Sequence, residues 1–375
     1  SKNEAITKQT LITACQYWLK QGDFSKVIYH LDKLNNDTLI ANIDYSLMYI
    51  YALIFYRRFN QAQYHLELLL HSLEGKDLST LETQEDIEFL TLCLKVFQHD
   101  SVVIQSIKEC DITTPHSKNA LRMFSLVFSA YHELQQGNVN KALNISIKAK
   151  TVLSKLDYVL AESYIDLIIA LCDRHMGRGI EAINYMNSIY ENSTLIENSL
   201  PWININTGMV IVNYEQNKLI QAQKLCEKLL PKINHSCITE VISTIYLTLS
   251  RLLFIQGNQR KAARLLEQLE RILNFGHYKR FTSQCIQESM RQAWVSGDIN
   301  RAQTLATKYK LEQGCNELTY LNSQYCEITE RHALATNYWF IFKGEYKKSA
   351  RLLNLLNANL DNSGAVNRSL VIKSN

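Results

Sequence analysis

The sequence has few of the residues that interrupt helices. Only 12 glycines and 3 prolines occur among its 375 residues. This scarcity argues against the many tight turns of a β-sheet protein and favours long helices. No apolar run reaches the length of about 18 residues that a membrane-spanning helix needs, and the N-terminus lacks the pattern of a signal peptide. We therefore expect an all-α protein with no membrane partner.

The motifs of common enzyme classes are also missing. The sequence contains no GxxxxGK[ST] or GxGxxG phosphate-binding loop, no HExxH zinc motif and no GxSxG nucleophile motif. Its nine cysteines include no CxxC pair, and its ten histidines lie at no metal-binding distance from them. An odd number of unpaired cysteines predicts free thiols in a reducing cytoplasm. We expect no enzyme activity, no metal and no cofactor in this stretch of chain.

Strong charge of one sign is absent as well. Forty basic and 36 acidic residues leave a net charge of +4, and these charges are spread along the chain. A nucleic-acid-binding surface normally needs a concentrated basic patch, so direct DNA or RNA binding by this chain is not expected. Apolar residues make up 46% of the sequence, which is ample for a hydrophobic core.

What the sequence does contain is a repeated helix–turn–helix pattern. It is clearest in LTLSRLLFIQGNQRKAARLLEQLERIL (Leu247–Leu273), where two amphipathic segments flank Gly257 and Asn258. Gly257 suits the turn because glycine adopts a left-handed backbone conformation without steric cost. Ala262, five residues later, is small enough to let the two helices approach closely.

The turn and the small residue recur with a period of about 40 residues. At this period from Gly257 the turn position holds Arg57, Phe97, Gly137, Gly177, Asn217 and Gly297. Five residues after each turn position lie Ala62, Val102, Ala142, Ala182, Ala222, Ala262 and Ala302. Six of these seven residues are alanine, against a background of about one in twelve. Gly22 with Val27, and Gly344 with Ser349, continue the pattern outside the strict period.

This repeat predicts an α–α superhelix of about nine helix pairs, in which each pair packs mainly against its neighbours. We predict one superhelical domain over residues 1–375, cut from a longer protein. Its units are expected near residues 7–34, 44–73, 84–110, 120–155, 160–192, 202–233, 238–274, 281–310 and 320–358, with a truncated further helix over 365–375. Phe97 and Val102 are expected to distort the turn of the third unit.

The first helices of such pairs line the concave side, where ligands bind. Residues about 6, 10 and 13 positions before each turn residue are expected to face this groove, if the packing follows other helical-pair solenoids. The candidate ligand-binding residues are Arg251, Arg291, Arg331, Gln284, Gln287, Tyr338 and Tyr214. Arginine offers a rigid fork of donors to carboxylate, phosphate or sugar hydroxyl groups. The alternative interpretation is that these arginines pair with neighbouring glutamates or remain solvated.

A second candidate surface is the tyrosine-rich face of the second unit. Its aromatic residues are Tyr45, Tyr49, Tyr51, Phe55, Tyr56, Phe59 and Tyr64. This density is too high for all of these rings to be buried. The rings either combine bulky packing with an amphipathic surface or form a contact surface. Aromatic and polar groups together would suit a small organic inducer or a peptide equally well.

Both ends of the repeat array resemble a known family. QYWLKQGDFSKVIYHLDKL and NNDTLIANIDYSLMYIYALIFYRRFNQAQYHLELL are similar to the entry of the helical-repeat region of large LuxR-type ATP-dependent transcription regulators, the maltose-operon activator family. LSRLLFIQGNQRKAARLLEQLERI and MRQAWVSGDINRAQTLATKY look like the closing repeats of that region and include Arg251 and Arg291. In the ninth unit Tyr338 replaces the arginine that the family pattern would place there. Tetratricopeptide-like helix pairs share the Gly and Ala columns but repeat every 34 residues or so.

The resemblance implies a sensory and oligomerisation region of a cytoplasmic transcription activator. In this family ATP binds an upstream module and DNA binds a downstream helix-turn-helix domain, and neither module lies in this sequence. The repeat region would bind a small-molecule inducer or a regulatory protein and support self-association. The alternative is a tetratricopeptide-like protein-interaction scaffold with no small-molecule ligand.

Overall fold

A computed structural model describes residues 2–74, 81–97, 120–135, 138–192, 195–233, 237–275, 279–312 and 327–362. Every regular element in these ranges is a helix, and successive helices pack as antiparallel pairs. The predicted all-α superhelical class is confirmed. The contacts group the chain into two compact units, residues 1–212 with 231–237 and residues 213–230 with 238–375. One superhelical domain over residues 1–375 stays a prediction.

The N-terminal unit contains ten helices and most of an eleventh among its described residues. They are α1 Lys2–Gln21, α2 Phe24–Leu31, α3 Asn36–Ile40, α4 Ile43–Phe55, α5 Phe59–Leu73, α6 Leu81–Phe97, α7 Ala120–Gln135, α8 Val139–Leu153, α9 Val159–His175, α10 Gly179–Asn192 and α11 Leu200–Glu215. The second half of the predicted third unit and the turn after Phe97, with Val102, lie outside the described residues.

The C-terminal unit continues the pattern over the described parts of residues 213–230 and 238–375. Its helices are α12 Leu219–Leu229, α13 Thr239–Ile255, α14 Gln259–Phe275, α15 Lys279–Ser296, α16 Ile299–Lys308, α17 Glu327–Phe342 and α18 Tyr346–Asn362. The further helix predicted over residues 365–375 lies outside the part of the chain that the structure describes.

The turn column is confirmed by the backbone geometry at its described positions, and Gly137 lies outside the described residues. Positive φ angles occur at Gly22 (76°), Arg57 (62°), Gly177 (77°), Asn217 (59°), Gly257 (82°), Gly297 (69°) and Gly344 (71°). After Gly257 the backbone N–H of Asn258 bonds to the carbonyl of Leu253 at 2.9 Å, which is the Schellman arrangement that ends a helix at a left-handed residue. Arg57 and Asn217 therefore perform the same turn as the glycines.

The small-residue column is confirmed as well. Its described members are buried: Val27, Ala62, Ala142, Ala182, Ala222, Ala262, Ala302 and Ser349. Ala262 shows why the position must be small, since the Ser250 hydroxyl on α13 donates a 3.0 Å hydrogen bond to the Ala262 carbonyl on α14. The two helices of this pair approach closely enough for a serine side chain to bridge them.

The tyrosine-rich helix α4 is core and not surface. Every residue from Tyr45 to Phe55 is buried, because α1, α2, α3, α5 and α6 all pack against this helix. The Tyr51 hydroxyl lies 2.6 Å from that of Tyr158, and the Tyr51 ring stacks on Phe55. The contact-surface alternative is wrong for Tyr45, Tyr49, Tyr51 and Phe55, which pack in the core. Of the two aromatic residues in α5, Phe59 is half-buried and Tyr64 is 51% exposed.

Candidate ligand-binding site on the C-terminal unit

Three first helices, α13, α15 and α17, lie side by side in the C-terminal unit. Arg251, Arg291 and Tyr338 each stand six residues before a left-handed turn residue, on α13, α15 and α17 respectively. Equal distances from equivalent turns place these side chains at the same level of adjacent helices. The repeat register thus brings together three of the residues that the sequence predicted.

A buried glutamate joins the two arginines. One carboxylate oxygen of Glu288 accepts hydrogen bonds from Nε of Arg251 at 3.0 Å and from Nε of Arg291 at 3.1 Å. The other oxygen accepts from Nη2 of Arg291 at 2.6 Å and from the Gln292 amide at 3.0 Å. The Glu288 side chain is only 3% exposed. All four bonds hold this carboxylate rigidly between α13 and α15.

Electrostatics keep this group charged. Burial acts to raise the pKa of Glu288, but the charge of Arg251 and the charge and hydrogen bonds of Arg291, with Gln292, outweigh it and hold the pKa below the ordinary 4.5. Burial acts to lower the pKa of Arg291, and the hydrogen bond and charge of Glu288 raise it above its ordinary value instead. At neutral pH the cluster therefore carries two guanidinium charges and one carboxylate charge.

The two arginines differ in how many of their donors are used. Arg291 presents Nε and Nη2 to Glu288 as a bidentate pair, and its guanidinium lies 5.7 Å from the centre of the Phe254 ring. Arg251 bonds to Glu288 through Nε alone, and its two terminal amino groups make no hydrogen bond to any described residue. The Arg251 side chain is 33% exposed. The hydrogen bond from Nε to Glu288 fixes the direction of the Arg251 guanidinium, and about a third of the side chain is open to solvent.

Aromatic rings border the arginines. The Tyr338 ring stacks on Trp294 with centroids 5.3 Å apart and planes at 30°. Trp294 remains 40% exposed and follows Arg291 by one helical turn on α15. Burial raises the pKa of the Tyr338 hydroxyl, and the phenols of both Tyr338 and Tyr214 lie close enough to Arg291 to influence its pKa. We call Arg251, Glu288, Arg291, Trp294 and Tyr338 the arginine cluster.

The remaining predicted residues form a neighbouring contact. Nη1 of Arg331 on α17 donates a 2.8 Å hydrogen bond to the Gln287 side chain on α15. Gln284 lies one turn before Gln287 on the same helix and is half-buried. Arg331 therefore binds Gln287 and is not bonded to Glu288, so the three predicted arginines do not share one partner.

Sequence reasoning missed Glu288, which organises the site. The signal was present, because Glu288 precedes Arg291 by three residues and such pairs are neighbours on a helix surface. The alternative that these arginines pair with a neighbouring glutamate is confirmed for Arg251 and Arg291. Whether the site binds a ligand stays a prediction.

The equivalent positions on the first helices of the N-terminal unit carry no charged side chain among the described residues. Tyr51 and Leu171, which stand at the same place relative to their turns, are buried, whereas Thr91, Tyr131 and Ile211 are half-buried and Gln16 is exposed. Aromatic residues pack around Tyr51, among them Phe55 and Phe124, whose rings are 4.7 Å apart. The partly exposed charged groups at this level of the repeat therefore belong to the C-terminal unit.

The described residues contain neither a candidate metal site nor an exposed cysteine. No group of three or more His, Cys, Asp or Glu side chains is placed to hold a metal ion there. The described cysteines are buried, and burial raises the pKa of Cys285 to about 12, which keeps its thiol protonated. None of the described helices combines the length and the apolar character needed to cross a membrane.

The fold defines this part of the chain as a tetratricopeptide-like superhelix of helix pairs. No family model and no curated protein matches the sequence. Among solved structures, a Rap protein complexed with competence and sporulation factor matches with a TM-score of 0.52 and 13% identity, over 89% of this chain and 99% of that one.

The apo form of RapI matches with a TM-score of 0.47 and 13% identity, over 88% of this chain and 97% of that one, a similarity too low to support a conclusion. At 13% identity the match to the Rap protein complex shows that the two chains share a fold, and it gives no information on function. A helical-repeat fold is thus established, and membership of the maltose-operon activator family stays a prediction.

Proposed function

We propose that this chain is the sensing region of a regulatory protein and that the arginine cluster is its binding surface. The observation that carries the proposal is the open fork of Arg251, which Glu288 fixes in place on a partly exposed face of adjacent first helices. A helical-repeat protein of this fold, a Rap protein, has been solved in complex with competence and sporulation factor, which supports a binding role for this chain.

A structural role alone accounts poorly for the cluster. Buried ion pairs cost desolvation energy, and apolar residues of similar volume often stabilise a protein equally well. A purely structural network would be expected to use its donors internally, whereas the two terminal amino groups of Arg251 make no hydrogen bond to a described residue. A binding role explains both the charged residues and the unused donors.

In its finer form the proposal places the chain in a LuxR-type transcription activator. A small inducer or a regulatory protein on the arginine cluster would favour one conformation of the helical repeats. That conformation would promote self-association, ATP binding by an upstream module and DNA binding by a downstream module. The family resemblance of the segments around Arg251 and Arg291 supports this form.

The test is a screen of metabolites and peptides for an increase in the melting temperature of the chain. A ligand at a hundred times its dissociation constant stabilises the folded state by about 2.7 kcal/mol. We expect the shift with the natural sequence and with Arg264→Ala, a matched change of an exposed arginine on α14, and not with Arg251→Ala. A ligand that shifts Arg251→Ala equally would contradict the proposed surface.

A second candidate function, a protein-interaction scaffold, is favoured by a different feature of the C-terminal unit. Five large apolar side chains near its left-handed turns are more than half exposed: Ile220 (67%), Ile255 (61%), Val295 (54%), Ile299 (51%) and Tyr346 (68%). Exposed apolar residues that share one edge often mark a protein contact. A partner captured by the natural chain and lost with Ile255→Ser and Val295→Ser together, but retained by Arg251→Ala, would support the scaffold over the sensor.

A further inference from the structure

We infer that the arginine cluster binds a singly charged carboxylate attached to an apolar, planar group, and that Arg251 contacts the carboxylate. This inference rests on the proposed function and adds the chemical class of the ligand. It follows from the charge of the cluster, from the donors left open and from the aromatic surface beside them.

The charge of the cluster matches a monoanion. Within the cluster, the guanidinium groups of Arg251 and Arg291 less the carboxylate of Glu288 leave one positive charge. Arg301 lies close enough to interact with the charge of Glu288 but makes no hydrogen bond to it. A carboxylate cancels the positive charge of the cluster. A phosphate monoester carries about −1.5 to −2 at neutral pH, which would leave excess negative charge beside the buried Glu288. The balance therefore favours a carboxylate over a phosphate.

The open donors have the geometry that a carboxylate needs. Both terminal amino groups of Arg251 are available, and a planar guanidinium binds the two oxygens of a carboxylate through parallel N–H bonds. Because Glu288 already holds Nε, little side-chain entropy remains to be lost when a ligand binds. Arg291 is a positioning residue, since its bidentate contact with Glu288 fixes the carboxylate that in turn orients Arg251.

The aromatic surface identifies the rest of the ligand. Trp294 stacks on Tyr338 and exposes 40% of its surface, one turn along α15 from Arg291. A flat apolar group stacks well on such a ring, and aromatic pairs contribute about 0.5–1.5 kcal/mol beyond the area they bury. A free aromatic acid or the carboxyl terminus of a peptide that ends in an aromatic residue has this chemistry.

The experiment compares three probes with the intact chain: N-acetylphenylalanine, its uncharged amide, and phenyl phosphate. Binding is measured by calorimetry and by quenching of Trp294 fluorescence. The Trp294→Phe variant shows which part of the fluorescence change comes from Trp294. We expect the acid to bind at least about tenfold more tightly than the amide, equivalent to 1.4 kcal/mol, and no more weakly than phenyl phosphate. A tripeptide ending in phenylalanine, as acid and as amide, distinguishes the two sources: tighter binding than N-acetylphenylalanine indicates a peptide terminus, and equal binding indicates a small acid.

Conservative variants test the role of Arg251 without removing its charge. Arg251→Lys keeps the charge but loses the fork, so affinity for the acid should fall about tenfold, while Arg264→Lys should leave it unchanged. Equal binding of acid and amide, tighter binding of phenyl phosphate, an unaffected Arg251→Lys variant, or no binding of the acid up to about 10 mM would each overturn the inference.

The proposal that the arginine cluster is a binding surface can fail independently of the proposal that its ligand is a carboxylate. If a neutral compound or a partner protein binds in a manner that requires Arg251 or Trp294, the carboxylate class is wrong and the proposed surface stands. If no compound or partner shows such dependence, both are wrong.

Discussion

Replacing Glu288 by glutamine tests the physical description of the arginine cluster most directly. The substitution keeps the shape of the side chain and removes its charge. It also places an amide NH₂ group where an oxygen now accepts hydrogen bonds from Arg251 and Arg291. One or more donors of the guanidinium groups would then face another donor, and two like charges would face each other without the carboxylate between them.

The structure allows an estimate of the loss. Hydrogen bonds to a charged group contribute about 1.5–3 kcal/mol each, and removing one partner of a buried ion pair costs about 3–5 kcal/mol. Arg251 and Arg291 are 33% and 31% exposed, so water can replace part of what the carboxylate provided. We therefore expect Glu288→Gln to lower the free energy of unfolding of the C-terminal unit by about 2–4 kcal/mol at neutral pH.

The same effect should depend on pH in a definite direction. The pKa of Glu288 is lower in the folded chain than its ordinary value of 4.5, so the ionised carboxylate stabilises the folded state above that pH. As the pH falls below about 4.5, the unfolded chain takes up a proton first, and the stabilisation is lost progressively through the folded pKa. The difference between the natural chain and Glu288→Gln should be constant from about pH 6 to 8 and shrink under more acidic conditions.

Urea unfolding followed by tryptophan fluorescence measures this difference. In a background with Trp18→Phe and Trp202→Phe, only Trp294 and Trp339 of the C-terminal unit report. With an unfolding slope of about 2 kcal/mol per molar urea, the midpoint should fall by about 1–2 M. Glu267→Gln, at an exposed position on α14, is the matched control and should change stability by less than about 0.5 kcal/mol. A Glu288→Gln midpoint equal to that of the natural chain, or a difference that grows in acid, would refute the reasoning.

Three further substitutions test the repeat architecture by the urea midpoint. Ala262→Leu should cost about 1–3 kcal/mol, because Ala262 is fully buried at a close helix contact, and an unchanged midpoint would contradict the close contact. Gly257→Ala should cost about 1–2 kcal/mol through the φ of 82° alone, since an added Cβ meets no atom within 4 Å. Gly257→Asn should cost less, because asparagine tolerates positive φ better than alanine. A larger cost for Gly257→Asn than for Gly257→Ala would be inconsistent with a backbone effect. Tyr51→Phe should destabilise the N-terminal unit by about 1–3 kcal/mol, because it leaves the buried Tyr158 hydroxyl without its partner, and a neutral result would argue against that hydrogen bond.

The helix pairs and their turns were predictable because they depend on local properties. A left-handed turn needs glycine or a residue that tolerates positive φ, and a close helix contact needs a small side chain, whatever lies elsewhere in the fold. The spacing alone therefore located the turns at Arg57 and Asn217, although neither is glycine. The same register placed Arg251 and Arg291 on adjacent first helices, because equal steps along a repeat return to equivalent positions.

The burial of α4 and the partners of the arginines were decided by tertiary contacts. Tyr51 meets Tyr158 across 107 residues of sequence, and Arg57 donates a 2.9 Å hydrogen bond to the carbonyl of Cys237 across 180. A repeat period describes how each helix pair meets its neighbours, but it contains no information on contacts between distant repeats. The sequence alone thus determined the helices, the turns and the position of the candidate site along the first helices. The tertiary structure decided which aromatic faces are buried and which carboxylate holds Arg251 in place, because burial and charge pairing depend on every helix that packs nearby.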